Sequence, residues 1–167
     1  RVKKGDLIIG LPSSGVHSNG YALVRRIVKE AKLDLSKHHD DAGPGTLGDL
    51  LLEPTRIYAK AVLKALGAYR RKRAIRGMAH ITGSGIPGNL PRAFGEQLDA
   101  VVDCASWTVP PLFRFLQKHG GVAESEMWNV FNMGVGYCLI VHPDFAEGVM
   151  KKLRKAGEQP FVMGKIA

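Results

Sequence analysis

Ser13, Ser14, His17, Ser18 and Asn19 crowd one short stretch, Gly10 to Tyr21, reading GLPSSGVHSNGY. Their hydroxyl, imidazole and amide groups can donate to a ligand or accept from one, and none carries a fixed charge while His17 is neutral. Gly15 and Gly20 let the backbone turn tightly or approach a ligand closely. The apolar run Leu7-Ile8-Ile9 leads into this stretch, and a helical apolar pattern starts at Tyr21. The expected order is strand, polar loop, helix N-terminus. Such a junction gathers unpaired backbone N–H groups at the positive end of a helix dipole, which suits a bound anion. A plain capped turn would use Ser18 or Asn19 as its N-cap and leave the other polar side chains without a purpose.

A second junction follows the same plan. Ala74 to Ile81 reads as a strand and runs into Thr82-Gly83-Ser84-Gly85-Ile86-Pro87-Gly88-Asn89-Leu90, with a helix to about Phe94. Its glycines could serve turn geometry alone, or expose backbone N–H groups as another anion cradle. Two such junctions in one small chain point to a ligand, because open sheets with helices bind where strand ends and helix starts gather. A third candidate is Asn132, in Phe131-Asn132-Met133-Gly134-Val135-Gly136-Tyr137. It is either a turn residue or a ligand contact beside two glycines.

The elements that must position these residues come from periodicity. Strands are expected at Asp6–Leu11, Ala74–Ile81, Gln97–Asp103, Cys138–Val141 and Pro160–Ile166. Helices are expected at Tyr21–Lys32, Thr46–Glu53, Arg56–Tyr69, Pro110–His119 and Glu124–Val130, with a last one from Pro143 to near Gly157. Thr55 is placed as the cap of the helix starting at Arg56. The alternation argues for a sheet covered by helices. His38-His39-Asp40-Asp41 falls in a loop broken by Gly43-Pro44-Gly45, where adjacent side chains rarely converge on one ion, so no metal site is assigned.

Composition excludes several classes. The chain has 167 residues, 45% apolar and 23% charged, as in an ordinary globular domain. No apolar run approaches the roughly 20 residues that span a bilayer. Cys104 and Cys138 show neither metal-ligand spacing nor a disulfide framework, which makes a reducing cytoplasm the expectation. The net charge of +9 invites a nucleic-acid reading. The basic residues are scattered over helix faces, however, and Arg70-Arg71-Lys72-Arg73 sits at a helix end without interleaved aromatics; a general attraction for phosphorylated small molecules fits the charge as well.

GLPSSGVHSNGY, LLEPTRIY, HITGSGIPGNLPRAF and FNMGVGY, in that order, resemble the C-terminal domain of the aminoimidazole ribonucleotide synthetase family, also called phosphoribosylformylglycinamidine cyclo-ligase. The resemblance runs through essentially the whole chain. It implies an α+β, three-layer α/β/α fold, with a mixed β-sheet flanked by helices and partly ferredoxin-like. It implies one C-terminal domain over 1–167, with an N-terminal ATP-binding and dimerisation domain outside this chain. The missing initiator Met at Arg1 and a pattern that stops slightly early at the C-terminus fit a piece of a longer protein.

The implied activity belongs to purine biosynthesis. ATP phosphorylates the formyl oxygen of formylglycinamidine ribonucleotide, an amidine nitrogen attacks, phosphate leaves and the imidazole ring closes. ATP, magnesium and potassium are implied mainly through the absent domain, and the full-length enzyme is implied to be a homodimer. This chain alone is expected to be inactive. Carried over residue by residue, His17 and Asn19 become the catalytic candidates. Ser13, Ser14, Gly15, Ser18, Thr82, Gly83, Ser84, Gly85 and Asn132 become the substrate- or phosphate-binding candidates. The family turn Gly-Gly-Gly carries Ser84 in its middle here, where an unusual backbone angle would strain a serine. The rival readings are a related ATP-using enzyme, such as formylglycinamidine synthetase, selenophosphate synthetase, thiamine-phosphate kinase or a hydrogenase maturation factor, and a non-catalytic binding module.

Overall fold

The computed structural model describes all 167 residues. Five strands form one sheet: β1 (Leu7–Pro12), β2 (Ile75–His80), β3 (Ala100–Val102), β4 (Val135–Val141) and β5 (Phe161–Ile166). Their order across the sheet is β2-β4-β1-β5-β3. Every pairing is antiparallel, so the sheet is antiparallel throughout rather than mixed. The reason is that β4 and β5 insert between the three earlier strands and run against them.

Seven α-helices accompany the sheet: α1 (Tyr21–Glu30), α2 (Leu47–Leu52), α3 (Ala59–Tyr69), α4 (Gly85–Asn89), α5 (Pro111–Gly120), α6 (Glu124–Val130) and α7 (Ala146–Lys155). Short 3-10 turns follow α4 at Leu90–Ala93 and precede α7 at Pro143–Phe145. The units β1-α3-β2 and β4-α7-β5 interleave, each split by a strand of the other. That is the ferredoxin-like arrangement, with β3 added beside β5.

Strand alternation builds two faces. Ile9, Leu11, Leu139 and Val141 meet Val62 and Ala65 of α3 and Val149 and Leu153 of α7. Ile8, Cys138, Ile140 and Met163 turn the other way, onto Ile86 of α4 and Leu90 of the turn after it. The largest core cluster, 15 residues, lies beyond the strand ends. There Val24 and Ile27 of α1, Phe113 and Leu116 of α5, and Met127 of α6 close over Val16 and Phe131. The loop Ser13–Asn19 is thus fastened to a core through Val16.

Several boundaries differ from the periodicity reading. β3 covers three residues, because Leu98 N–H closes a turn onto Gly95 O (3.1 Å) just ahead of it. α3 starts at Ala59 and has no side-chain cap. Thr55 is engaged elsewhere, with Ser18. α1 is capped by neither Ser18 nor Asn19: Gly20 holds the N-cap position with φ 75° and no side-chain bond. A Cβ on Gly20 would lie 2.3 Å from Phe131 Cε1, so glycine is required there for packing and for angle alike. Thr46, by contrast, caps α2 in a reciprocal capping box with Asp49. No helix is long and apolar enough to cross a membrane.

Candidate functional site

The C-terminal end of β1 releases the loop Ser13–Asn19, and three other segments gather around it. The first is the approach to β4. Asn132, only 1% exposed, turns its amide onto the loop and its own turn. Its Oδ1 accepts from Ser13 Oγ (2.9 Å) and from Gly134 N–H (2.8 Å), while its Nδ2 donates to Gly15 O (2.8 Å). Asn132 therefore holds the loop, with both bonds to its Oδ1 and one of its two Nδ2 hydrogens used inside the protein.

The second segment is Glu53–Tyr58, between α2 and α3. Ser14 Oγ donates to Pro54 O (2.7 Å), and Ser18 Oγ lies 3.1 Å from Thr55 Oγ1. The third is the turn after β2. Asn19 Oδ1 lies 3.6 Å from where a Cβ of Gly83 would stand, so the two Gly-rich junctions are neighbours. Phe131 ties them together: its ring blocks a Cβ on Gly20, and its carbonyl oxygen lies 2.8 Å from a Cβ built on Gly85.

The second turn is shaped from inside by Asn89, which is buried at the end of α4. Its Nδ2 donates to Gly83 O (2.8 Å) and Gly85 O (2.7 Å), and its Oδ1 accepts from Thr82 Oγ1 (3.2 Å). Ser84 adopts φ 73° in spite of its side chain, so the left-handed angle survives where the family glycine is replaced. Gly85 is also left-handed at φ 57°, and a Cβ there would stand 1.9 Å from Trp128 O.

What remains free is backbone. From Gly15 to Gly20 no backbone N–H makes a well-formed hydrogen bond within the protein, and neither do those of Gly83 and Ser84, though His17 and Ser18 form a turn; Gly15, Val16 and His17 are buried, and Ser18 to Gly20 reach the surface. Ser14 and Ser18 are exposed beside the first row, and Gly83 and Ser84 are exposed in the second. Rows of unpaired N–H groups at a helix start are donors aimed at negative charge.

His17 is a different kind of residue from the one its sequence context suggests. It is 3% exposed and left-handed, with φ 57°. Its Nε2 accepts the Ser14 N–H (3.1 Å), which places the ring proton on Nδ1, and Nδ1 is buried without a protein partner. Burial, with the nearby His80 and Arg56 charges adding to it, lowers its pKa to about 4. The imidazole is neutral at physiological pH and its lone pair is already occupied. The geometry supports loop ordering over proton transfer.

Sequence reasoning passed over Pro54, Tyr58 and Asn89 as site residues and read Thr55 only as a helix cap. Tyr58 donates its hydroxyl to Pro12 O (2.7 Å) and packs its ring near His17, His80 and Tyr137. The motif LLEPTRIY was visible, but its partners lie some 40 residues away in the chain. In the loop Lys37–Gly45, His38 bonds Gly45 O and Asp40, and His39 packs on Phe115. The chain brings together no group of three or more His, Cys, Asp or Glu side chains able to hold a metal ion.

Replacing Asn132 with alanine strands the Ser13 hydroxyl, the Gly134 N–H and the Gly15 carbonyl. Unmade buried hydrogen bonds of this kind cost about 1–3 kcal/mol each before water relieves them. We expect a loss of about 2 kcal/mol in urea unfolding, with the loop amides shifting most in an NMR spectrum. An unchanged midpoint would mean that the three bonds carry nothing.

An interleaved antiparallel sheet with helices on both faces, and two Gly-rich strand-to-helix junctions side by side, define an α+β domain of ferredoxin-like plan. The profile described as "AIR synthase related protein, C-terminal domain" matches residues 3–167, and the chain belongs to this family. The phosphoribosylformylglycinamidine cyclo-ligases of Burkholderia multivorans and Burkholderia mallei are each 46% identical to it over 165 residues, covering 99% of the chain. The chain spans 45% of the length of these relatives. Among solved structures, thiamine-monophosphate kinase from Stenotrophomonas maltophilia superposes with a TM-score of 0.62 at 18% identity, covering 100% of this chain and 49% of the other. The E. coli hydrogenase maturation protein HypE gives 0.58 at 15% identity, over 98% of this chain and 44% of that one. At such identities the two likenesses speak for the fold alone.

Proposed function

We propose that this chain is the C-terminal half of an ATP-dependent cyclo-ligase that closes formylglycinamidine ribonucleotide into aminoimidazole ribonucleotide. The reading is supported by the family and by one observation above the rest: from Gly15 to Gly20 the backbone N–H groups make no well-formed hydrogen bond within the protein, and Ser18 to Gly20 bring theirs to the surface. A phosphorylated substrate brings a dianion, and such a row meets it with fixed donors. Phosphorylation of the formyl oxygen turns a poor leaving oxygen into phosphate, and fixed donors favour charge that develops during that transfer.

In this reading the loop Ser13–Asn19 and the turn Thr82–Gly85 hold phosphate oxygens through backbone N–H groups, with the Ser14, Ser18 and Ser84 hydroxyls beside them. Asn19, half-buried between the two junctions, presents its amide to the reacting end of the substrate. His17 and Asn132 keep the loop in shape, which confines a flexible substrate to a ring-closing geometry. The chain gathers no cluster of three or more His, Cys, Asp or Glu side chains, so no magnesium ligand is assigned to it. ATP, the metal ions and the homodimer contact belong to the remaining half of the enzyme, in a cytoplasmic setting.

Two measurements test this. Joined to the missing half, the chain should convert formylglycinamidine ribonucleotide in the presence of magnesium-ATP, while alone it should show no turnover and only weak ATP binding. In an NMR titration of the chain alone, inorganic phosphate should shift the Gly15–Gly20 amides first. Micromolar ATP affinity for the chain alone, or phosphate shifts confined to the Arg70–Arg73 surface, would falsify the assignment.

A further inference from the structure

We propose that Tyr58 is the positioning residue of this site, fixing His17 and through it the backbone of the loop Ser13–Asn19. This rests on the reading of the loop as the anion site, and it concerns how the loop is held rather than what it holds.

Three separate elements meet at one point. Tyr58 comes from the start of α3 and is 4% exposed. Its hydroxyl donates to the carbonyl of Pro12, the last residue of β1 and the point where the loop departs (2.7 Å). The β1–β4 ladder shifts register between Leu11 and Pro12, so the Tyr58 bond steadies the chain where the regular pairing lapses. The ring centroid lies 6.3 Å from that of His17. Gly136 of β4 supplies the third side. A Cβ at Gly136 would stand 2.0 Å from Tyr58 Oη and 2.7 Å from His17 Cε1, so the phenol and the imidazole share the space that glycine leaves open.

His17 needs such a wall. Its left-handed backbone is strained for a residue with a side chain, and its one hydrogen bond is to the Ser14 N–H. With Tyr58 on one side and Gly136 below, the ring presents Nε2 to Ser14 in one orientation. That bond holds the loop backbone in its turned shape.

Tyr58 is also a member of the core under α3, so a purely packing role is the alternative. Tyr58→Phe separates the two, because it keeps the ring and removes only the hydroxyl. In ¹⁵N NMR of this chain without ligand, the variant should exchange its Ser14 amide about tenfold faster, the scale of one net hydrogen bond lost. Its His17 ring should pass from one tautomer to a mixture. Leu139 in β4, remote from the hydroxyl, should keep its protection. A folded variant whose Ser14 amide and His17 ring match the unmodified chain overturns the proposal. Independently of any variant, the unmodified chain should show His17 protonated on Nδ1 alone. A ring protonated on Nε2 overturns the proposal as well, since Ser14 would then have no acceptor. Phosphate titration reports separately on the anion-site reading, because both Tyr58 readouts are taken without ligand.

Discussion

His17→Ala, introduced into the full-length enzyme, should lower turnover about 100-fold, the scale on which misplaced binding groups act, and His17→Gln should recover most of that loss. The argument starts from the ring's one bond. Nε2 accepts the Ser14 N–H at 3.1 Å, and a glutamine carbonyl oxygen can accept the same donor, whereas alanine cannot. With a pKa of about 4 the imidazole binds no proton at neutral pH, so a base with a free lone pair is not what the alanine variant removes. The measurement is steady-state turnover of the three proteins, with circular dichroism to show that each is folded. General acid–base groups contribute roughly 10²- to 10⁴-fold. A glutamine variant as impaired as the alanine one would make His17 a proton-transfer group instead.

Acid should destabilise this chain more than it destabilises His17→Gln, and the sign follows from proton counting. Burial lowers the His17 pKa from 6.5 to about 4, so between these values the unfolded chain binds more protons than the folded one. Stability therefore rises with pH through that window, is complete above about 6.5 and is lost as pH falls towards 4. At 1.36 kcal/mol per pH unit the difference amounts to about 3 kcal/mol. Urea unfolding at several pH values, with the glutamine variant subtracted, isolates this contribution from the carboxylates. Parallel curves for the two proteins would mean that His17 is solvated and free to titrate.

Much of the molecule was legible in one dimension because local physics writes local patterns. Leu7-Ile8-Ile9 is apolar in a run since both faces of β1 are covered, by α3 and α7 on one side and α4 on the other. Leu23, Val24 and Ile27 recur at helical spacing since α1 turns one stripe to a core. The Thr46–Asp49 pair is a capping box whose partners stand three residues apart, readable without any fold. The motifs that place the chain in its family are likewise contiguous.

Side-chain duties were not legible, since they depend on partners far along the chain. Ser18 looks like a helix cap until Thr55, 37 residues on, takes its hydroxyl. Asn132 looks like a plain turn residue until Gly15, 117 residues back, takes one of its amide hydrogens. His17 looks exposed among serines and glycines, yet Tyr58 and the missing side chain of Gly136 bury it. Spacing along a strand or helix reveals which residues share a face, because the period is built into the backbone. Whether a polar group is spent inside the protein or left for a ligand is settled by the antiparallel interleaving of β4 between β1 and β2, which carries Asn132 and Gly136 up to the loop. No local period encodes that pairing, since it comes from burying apolar faces that lie more than a hundred residues apart, such as Ile9 and Leu139.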